Sequence, residues 1–367
     1  MKRFIDCAIP FRTCNLRCDY CYITHTKSWG QKLPEFRYDV DRIGRALSAK
    51  RLGGTCLINI CGEGETLLPP EIVGIIYNIL KNDHYVMVVT NGTITKRFDE
   101  IAELPAVCLN RLLIKFSFHY LELKRKGWFD VFFGNVQKVR NAGCSISLEL
   151  TPSDEMIPYI DDAIALCRKR TGAICHVTVA RNEKNSELTI LTQYTKSEYE
   201  DIWNKFQSDL FKFKMQVFGV KRYEYCYAGL WSCVLDLVTG NLIQCYRGEL
   251  LQNIFEDIER PIHFAPIGCH CAQPHCYNAH AFMTLGVIPS ISTPRFADMR
   301  NRLCDNGSEW LTPEMKAFLN RKLGDENPEL TWIKKHLHEI SRLSKASRVL
   351  RQAKSLFSLM HNRSISA

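Results

Sequence analysis

The sequence lacks any run of about eighteen uncharged apolar residues, so no segment is expected to span a membrane. It also lacks an export signal. Lys2 and Arg3 precede apolar residues, but Asp6, Pro10 and Arg12 interrupt that run before the apolar core of a signal peptide could form. No internal repeat or low-complexity segment is evident. A cytoplasmic location is therefore expected.

Most of the chain also has little net charge. The formal net charge is +9, but residues 334–367 contain eight Lys or Arg residues and a single acid, Glu339, and so carry +7 of it. Only +2 is left for residues 1–333. A uniformly basic protein that coats nucleic acid is disfavoured, and no nucleic-acid partner is predicted.

Cysteine, by contrast, is abundant, with 17 residues in a chain of 367. The odd count and the lack of an export signal favour metal binding over a disulfide framework. Hydrophobic residues at 46% and charged residues at 24% are ordinary globular values. The length suggests two domains, or one large domain with an extension.

Short β-rich runs alternate with helical patterns through the first half of the chain. The predicted strands are 3–9, 56–61, 85–90, 111–119, 144–151 and 173–180. The predicted helices are 39–52, 70–82, 96–104, 130–142 and 157–171, followed by a longer one at 195–217. Repeated strand–helix alternation predicts an α/β fold with a parallel sheet and crossover helices.

Several of these strands alternate between apolar and polar residues, which strands of a parallel sheet buried on both faces do not. The polar positions include Lys115, Ser117 and His119 on one strand, and Glu149 and Thr151 on the next. One face is thus expected to lie under the helices and the other to line a polar interior, as in an open or incomplete barrel. Side chains at the carboxyl ends of barrel strands are placed to form a site. Alternatively, Lys115 simply pairs with Glu149.

The first cysteine group, Cys14, Cys18 and Cys21, follows the first predicted strand with the spacing C-x3-C-x2-C. Three thiolates on a tight loop can hold three irons of a [4Fe–4S] cluster and leave the fourth iron open for a chelating ligand. A zinc site is the alternative on spacing alone, with His25 as the fourth ligand.

The segment CNLRCDYC, which ends at Cys21, resembles the signature of the radical S-adenosylmethionine (radical SAM) superfamily. Gly62-Glu63-Gly64-Glu65 is similar to the Gly/Glu motif of that family, although Thr66 stands where proline is usual. Thr90-Asn91-Gly92 ends the third predicted strand, as in the family. The three motifs follow one another on consecutive strand–helix units, which favours this resemblance over a zinc site.

The resemblance implies a partial (β/α)6 barrel and a [4Fe–4S] cluster that binds S-adenosylmethionine. An external one-electron reductant, such as a flavodoxin or ferredoxin, would drive cleavage of the cofactor to a 5′-deoxyadenosyl radical. That radical would abstract hydrogen from a polar substrate. His119 and Glu149 are the candidate catalytic residues. The expected cofactor-binding residues are Tyr20, Gly62, Gly64, Glu65, Thr90, Asn91, Ser117 and Glu149.

A second cysteine group lies between positions 226 and 276. Its start, Cys226-Tyr227-Ala228-Gly229, with Gly240 and Cys245 downstream, resembles the SPASM/twitch domains appended to radical SAM enzymes. The resemblance implies one auxiliary [4Fe–4S] cluster, with Cys269 as a reserve ligand and Cys233 in the core. Zinc remains an alternative at this second site. The four expected ligands are Cys226, Cys245, Cys271 and Cys276.

Together these features predict a radical SAM barrel at 1–218, a twitch-like cluster domain at 219–290 and a helical region at 291–367. The leading substrate hypothesis is a peptide or protein side chain, because twitch and SPASM domains are associated with peptide modification. The alternative is dehydrogenation or epimerisation of a carbohydrate. An alternative of another class is a zinc-binding protein without enzymatic activity.

The basic segment 334–367 has apolar residues at close to helical spacing. Such a basic amphipathic helix can lie on an anionic membrane surface or dock on an acidic partner. The alternative is a terminal helix that packs back on its own barrel. The residues that define the spacing are Ile340, Leu343, Leu350, Ala353, Phe357 and Met360.

Overall fold

The computed structural model describes residues 1–183, 187–269, 271–276, 286, 288 and 291–345. Within them, nine strands form one sheet. In chain order the strands are β1 (Phe4–Ile9), β2 (Leu57–Gly62), β3 (Tyr85–Thr90), β4 (Leu112–Ser117), β5 (Ser145–Leu150), β6 (His176–Val177), β7 (Ser232–Asp236), β8 (Asn241–Ile243) and β9 (Leu250–Asn253).

The spatial order of the strands is β6-β5-β4-β3-β2-β1-β7-β8-β9. Strands β1 to β6 are parallel, and β7 joins the free edge of β1, also in parallel. Strands β8 and β9 then continue the sheet in antiparallel fashion. The predicted α/β class with a parallel sheet is confirmed. The carboxyl ends of the parallel strands lie at one edge, which is where such folds place their sites.

Helices connect the parallel strands and cover one face of the sheet. The helices are α1 (Tyr22–Thr26), α2 (Val40–Ala46), α3 (Ala49–Leu52), α4 (Ile72–Leu80), α5 (Thr95–Ala102), α6 (Ala106–Leu109), α7 (Tyr120–Lys126), α8 (Phe129–Asn141), α9 (Ile160–Thr171), α10 (Lys196–Trp203), α11 (Asp209–Val217), α12 (Pro313–Leu319), α13 (Leu323–Glu326) and α14 (332–345). Short 3₁₀ segments precede α9 at Asp154–Tyr159 and follow α10 at Asn204–Phe206.

Alternation along β1 shows how the sequence separates the two faces. Ile5, Cys7 and Ile9 are buried in the core under the helices, whereas Asp6 faces the interior of the barrel. Helix α4 closes this core with isoleucines three or four positions apart, which lie on one helical face. Each fully buried side chain of this size contributes about 1.5–3 kcal/mol.

Apolar residues from the C-terminal part of the chain close the amino end of the barrel. Phe4 of β1 and Leu113 of β4 share a buried cluster with Phe296, Met299 and Leu311. The lumen is therefore filled at its amino end and polar further along the strands. Segment 296–319 belongs to the barrel core in space, although the sequence analysis assigned it to a separate helical region.

Three predicted elements differ from the observed ones. The helix predicted at 39–52 is two helices, α2 and α3, interrupted at Leu47 and Ser48. The helix predicted at 195–217 is two helices, because Gln207 adopts a left-handed conformation (φ 47°) and the hydroxyl of Ser208 caps α11. The strand predicted at 173–180 is regular only at His176–Val177. Among the described residues no helix is long and apolar enough to cross a bilayer.

Candidate active site

The loop of the first cysteine group leaves the end of β1 and is fixed by contacts from neighbouring elements. The backbone N–H of Arg17 donates to Glu122 Oε2 of α7 at 2.9 Å. The hydroxyl of Thr24 donates to the carbonyl oxygen of Cys18 at 2.9 Å. Helix α1 begins directly after Cys21. The loop thus holds its cysteines at the carboxyl edge of the sheet.

The Gly62–Thr66 turn lies directly against this loop. Gly64 N–H donates to the carbonyl oxygen of Phe11 at 2.7 Å, and Glu65 N–H donates to that of Thr13 at 3.0 Å. A Cβ atom on Gly64 would overlap the carbonyl oxygen of Thr13. Glycine is needed at position 64 because two backbone segments approach each other there.

Glu65 is buried, and its carboxylate accepts three hydrogen bonds. Oε1 accepts from the hydroxyl of Thr90 at 2.6 Å and from Leu67 N–H at 3.0 Å, and Oε2 accepts from Asn91 N–H at 2.7 Å. Burial raises the pKa of Glu65, and these hydrogen bonds oppose the shift. The carboxylate therefore ties the ends of β2 and β3 together.

Asn91 links β3 to the cysteine loop. Its Nδ2 donates to Asn15 Oδ1 at 2.7 Å and lies 3.8 Å from Cys14 Sγ, and the backbone N–H of Leu16 lies 3.5 Å from the same sulfur. N–H donors to cysteine sulfur are among the contacts that set the potential of iron–sulfur clusters. Burial raises the pKa of Cys14 to about 11.

These segments enclose one cavity of about 310 Å³, at the carboxyl ends of the parallel strands. It brings together residues of the three predicted motifs and of β4. Glu149, the remaining predicted site residue, is not among those that line it. The predicted residues on the cavity wall are Cys14, Cys18, Tyr20, Cys21, Gly62, Gly64, Glu65, Thr90, Asn91, Ser117 and His119.

Tyr20 and His119 meet on the cavity wall. The hydroxyl of Tyr20 lies 2.5 Å from His119 Nδ1, and the two rings are tilted by 30° with centroids 5.9 Å apart. Burial lowers the pKa of His119 to about 4, with Lys115 acting in the same direction. A neutral imidazole here can accept the hydrogen bond of the phenol. The pair joins the cysteine loop to the end of β4.

Glu149 lies deeper in the barrel, between two cations. Its Oε1 is 2.8 Å from Lys115 Nζ, and its Oε2 is 2.7 Å from Arg300 Nη1. Burial alone would raise the pKa of Glu149, but the cations Lys115 and Arg300 outweigh it and hold the pKa well below its usual range. The ion pair with Lys115, offered above as the alternative to a cofactor contact, is present. A cofactor contact of Glu149 stays a prediction.

The second cysteine group forms a cavity of its own, of about 110 Å³. Aromatic side chains of Tyr225, Tyr227 and Trp231 line much of it, unlike the polar first cavity. Cys269 is exposed and is not among the lining residues, and Cys233 is buried in the core on β7. The cysteines that line the cavity are the four expected ligands, Cys226, Cys245, Cys271 and Cys276.

Hydrogen bonds join two separate segments, 221–226 and 268–271, beside this second cavity. Cys226 and Gly268 exchange two backbone hydrogen bonds of 3.0 Å, and Lys221 Nζ donates to the carbonyl oxygen of Cys271 at 2.6 Å. Burial raises the pKa of Cys226 to about 12 and also raises that of Cys245. The segments converge because β7 pairs with β1 and brings residues 226–245 to the barrel.

No three His, Cys, Asp or Glu side chains converge on a single metal-ion position in the part of the chain that the structure describes. The cysteines of a cubane [4Fe–4S] cluster need not converge on one position, because each of them binds a different iron. The donor set at both cavities is thiolate, which suits iron–sulfur clusters. At the first cavity, N–H groups also point at a cysteine sulfur, so the residues present fit a cluster bound by three cysteines.

Sequence analysis missed several residues that shape the site. Glu122 is spaced three positions from Arg125, which looks like an ordinary surface pair, yet it also holds the cysteine loop. Tyr246 donates its hydroxyl to the buried Asp6 of β1, and so connects the neighbour of Cys245 with the barrel lumen. Arg300 is separated by 151 positions from its partner Glu149, so no local pattern reveals it.

A comparison with protein families identifies the type of domain formed by the first part of the chain. Residues 8–152 match the family model described as the radical SAM superfamily, and this segment contains the first cysteine loop, the Gly62–Glu65 turn and Asn91. This part of the chain is a radical SAM domain. The match covers residues 8–152 of the 367-residue chain. No protein with curated functional information matches the chain.

Several solved structures are similar to the chain at low identity. Streptococcus suis SuiB is 12% identical with a TM-score of 0.48, over 69% of this chain and 63% of SuiB. The chain therefore spans less than two thirds of SuiB. The protein anSMEcpe with bound AdoMet is 15% identical with a TM-score of 0.48, over 70% of this chain and 76% of that one. BtrN, in complex with AdoMet and 2-DOIA, is 13% identical with a TM-score of 0.33, over 70% and 80%.

Proposed function

We propose that the protein is a radical SAM enzyme with one auxiliary iron–sulfur cluster that modifies a polar substrate, with a peptide or protein side chain as the leading class. The observation that carries the proposal is the first cavity. There the three cysteines of one loop share a wall with Glu65, Asn91 and Ser117, all at the carboxyl edge of the sheet.

At this cavity Cys14, Cys18 and Cys21 would hold the [4Fe–4S] cluster. A reduced cluster bound there would supply one electron for homolytic cleavage of S-adenosylmethionine to methionine and a carbon radical able to abstract hydrogen from the substrate. Glu65 supplies a buried negative charge on the cavity wall, and its three hydrogen bonds fix its orientation. It is therefore placed to bind the amino group of the cofactor.

Tyr20, on the cysteine loop, is the residue we assign to the adenine side. Its ring lies on the cavity wall, and the contact with His119 holds it against the end of β4. Ser117, the last residue of β4 and two positions before His119, lines the same cavity. These residues bind and orient the cofactor, and no proton transfer is assigned to them.

A polar substrate is supported by the character of the barrel interior. Thr151, Thr178 and Arg181 line the far side of the first cavity, and Lys214 donates to the hydroxyl of Thr178 from below. Burial lowers the pKa of Lys214 to about 7. The hydroxyl groups of Thr151 and Thr178 and the Arg181–Glu183 pair on this wall offer hydrogen bonds, which suit amide or hydroxyl groups of a polar substrate.

The peptide class rests on the second cysteine group, which resembles the twitch and SPASM domains associated with peptide modification. We assign Cys226, Cys245, Cys271 and Cys276 as ligands of the auxiliary cluster, because all four line one cavity. Oxidation or epimerisation of a carbohydrate is the alternative, since the polar wall would also bind hydroxyl groups. Titration of anaerobic enzyme with peptide and sugar libraries, read out as substrate-dependent 5′-deoxyadenosine, separates the two.

The first experiment is anaerobic reconstitution followed by reduction with dithionite in the presence of S-adenosylmethionine. The expected products are 5′-deoxyadenosine and methionine. Alanine at Cys14, Cys18 and Cys21 should reduce 5′-deoxyadenosine to background, because the iron that binds the cofactor is lost. Undiminished product from this triple variant would overturn the assignment.

The matched control removes three thiols from the second cavity, at Cys226, Cys245 and Cys271. This variant should lose about one cluster's worth of iron and acid-labile sulfide yet still cleave S-adenosylmethionine. Zinc in place of iron at both sites, with no labile sulfide after anaerobic purification, would support the zinc-binding alternative instead.

A further inference from the structure

Helix α14 (332–345) is docked on the protein with its polar side inward. The inward residues follow helical spacing and are Lys335, His338, Glu339 and Arg342. Glu339 Oε1 accepts from Cys269 N–H at 3.0 Å, and Arg342 Nη1 donates to the carbonyl oxygen of Ile267 at 2.7 Å. Lys335 Nζ pairs with Glu329 at 2.7 Å. The helix is therefore held by hydrogen bonds and ion pairs to segments beside the second cavity.

The opposite side of the same helix is mostly apolar and faces solvent, with His336 and Ser344 as its polar members. At about 100° per residue the large apolar side chains fall within an arc of about 140°. In a surface helix of a globular protein this face would normally pack on the core. In α14 the apolar face points to solvent instead, and the polar face contacts the protein. The exposed side chains are Trp332 (70%), Ile333 (64%), Leu337 (61%), Ile340 (62%) and Leu343 (61%).

Positive charge lies along one edge of this apolar face. Lys334 and Lys345 are exposed and, at about 100° per residue, both fall on that edge. The sequence beyond 345 adds four Lys or Arg residues and no acid. An apolar face with a tryptophan, edged by cations, has the composition of helices that lie in the interface of an anionic bilayer.

We propose that α14 is a membrane-surface helix, and that its outward face (Trp332, Ile333, Leu337, Ile340 and Leu343) docks on a bilayer of anionic lipid. A second copy of the chain is a poorer occupant. The charge of +7 over residues 334–367 opposes self-association of this segment.

The contacts that hold α14 lie on the side opposite the proposed lipid-facing surface. Gly268 illustrates how tight that attachment is. A Cβ atom at Gly268 would overlap Glu339 Oε1, and the glycine itself has φ 83°, a conformation that favours glycine. The inward side therefore fixes the helix, and the outward side is free to contact lipid.

The test is co-sedimentation of the full-length protein with vesicles of phosphatidylcholine and phosphatidylglycerol, compared with phosphatidylcholine alone. Binding should require the anionic lipid and weaken at high salt, because exposed charges are screened. The variant Leu337→Asp with Ile340→Asp should bind at least about tenfold more weakly, since two apolar side chains are replaced by charged ones.

The matched control is Val107→Asp with Leu303→Asp. These side chains are 63% and 69% exposed, and the substitutions change the net charge by the same amount. The control should bind vesicles like the unmodified protein. The proposal is overturned if the unmodified protein does not sediment with anionic vesicles, or if both variants bind equally. It is also overturned if sedimentation velocity shows a dimer that only the 337/340 variant disrupts, because a second copy then covers the face.

Discussion

Both cysteine regions place several cysteines around one cavity, but the first uses a single loop and the second uses separate segments. In the first, three cysteines within eight consecutive residues lie on one loop, at the polar carboxyl edge of the parallel sheet. In the second, the four cysteines come from segments up to 50 positions apart and surround a cavity lined by aromatic rings. The first site is defined by local spacing, whereas the second exists only because β7 joins β1 and the segments fold over it.

This difference fits two different tasks. The first cavity has room and polar groups beside its cysteines, including Glu65 and Asn91, so a cluster there can share its open iron with a ligand. The second cavity is smaller and is lined by four cysteines, one for each iron of the proposed auxiliary cluster. A cluster bound in that way has no iron left for a chelating ligand. We infer that cofactor chemistry belongs to the first site and electron transfer or substrate contact to the second.

The largest effect is expected at Gly64, because its close contact with the Thr13 carbonyl oxygen belongs to the first site and not to the second. Gly64→Ala should prevent assembly of the first cluster, because the new Cβ overlaps the Thr13 carbonyl oxygen and must displace the cysteine loop. Iron analysis and EPR should show the second cluster alone. Gly134→Ala on α8 is the control. It has no heavy atom within 4 Å of the added Cβ and should stabilise the helix by about 0.5–1 kcal/mol. A normal first cluster in Gly64→Ala would contradict the close-contact argument.

The next largest effect is expected from the variant that removes the fourth ligand of the second site, and it shows whether that ligand is Cys271 or Cys269. Cys271→Ala should lose most of the auxiliary cluster, since Cys271 lines the cavity, and Cys269→Ala should keep it, since Cys269 is exposed. Iron and sulfide content per chain, measured after anaerobic reconstitution, gives the answer. The reverse result would make Cys269 the ligand.

The stability of the barrel should depend on pH through His84, far from both cysteine groups. Burial lowers the pKa of His84 to about 4, its Nδ1 accepts from Cys56 N–H at 3.1 Å, and its Nε2 contacts the Leu47 carbonyl oxygen at 2.6 Å. The unfolded chain, with an ordinary histidine pKa of about 6.5, binds the proton more readily than the folded one. Stability contributed by neutral His84 is therefore complete above about pH 6.5 and falls by about 3 kcal/mol as the pH drops to about 4.

Urea denaturation of the apoprotein between neutral and mildly acid pH measures this loss. His84→Gln should flatten the acid branch of the curve, whereas substitution of the exposed His336 should leave it unchanged. Equal acid sensitivity in the protein with His84 replaced would assign the effect to other groups.

The smallest effect concerns the potential of the first cluster. Asn91→Ala removes an N–H donor 3.8 Å from Cys14 Sγ, so the reduced cluster should be less stable and its midpoint potential more negative. A shift of a few tens of mV is expected, since about 1 kcal/mol corresponds to about 40 mV for one electron. Potentiometric EPR should show no shift for the auxiliary cluster. A shift of both clusters would mean that the two sites are coupled.

The sequence by itself determined the features that depend on neighbours along the chain. The spacing of Cys14, Cys18 and Cys21, the glycines at 62 and 64, and the alternation of strands and helices are local patterns. From them follow the α/β class and the similarity of residues 8–152 to the radical SAM superfamily. Period-two alternation in β4 and β5 also predicted a polar interior, because side chains on a strand point to opposite faces.

Only the tertiary structure decided what depends on distant segments. The pairing of Glu149 with Arg300, the contact of Tyr246 with Asp6 and the placement of Cys271 rather than Cys269 in the second cavity all join residues that no periodicity connects. The same is true of α14. Its amphipathic pattern predicted a core-packed or surface helix, but which side faces the protein was set by the hydrogen bonds that Cys269 and Ile267 offer to Glu339 and Arg342.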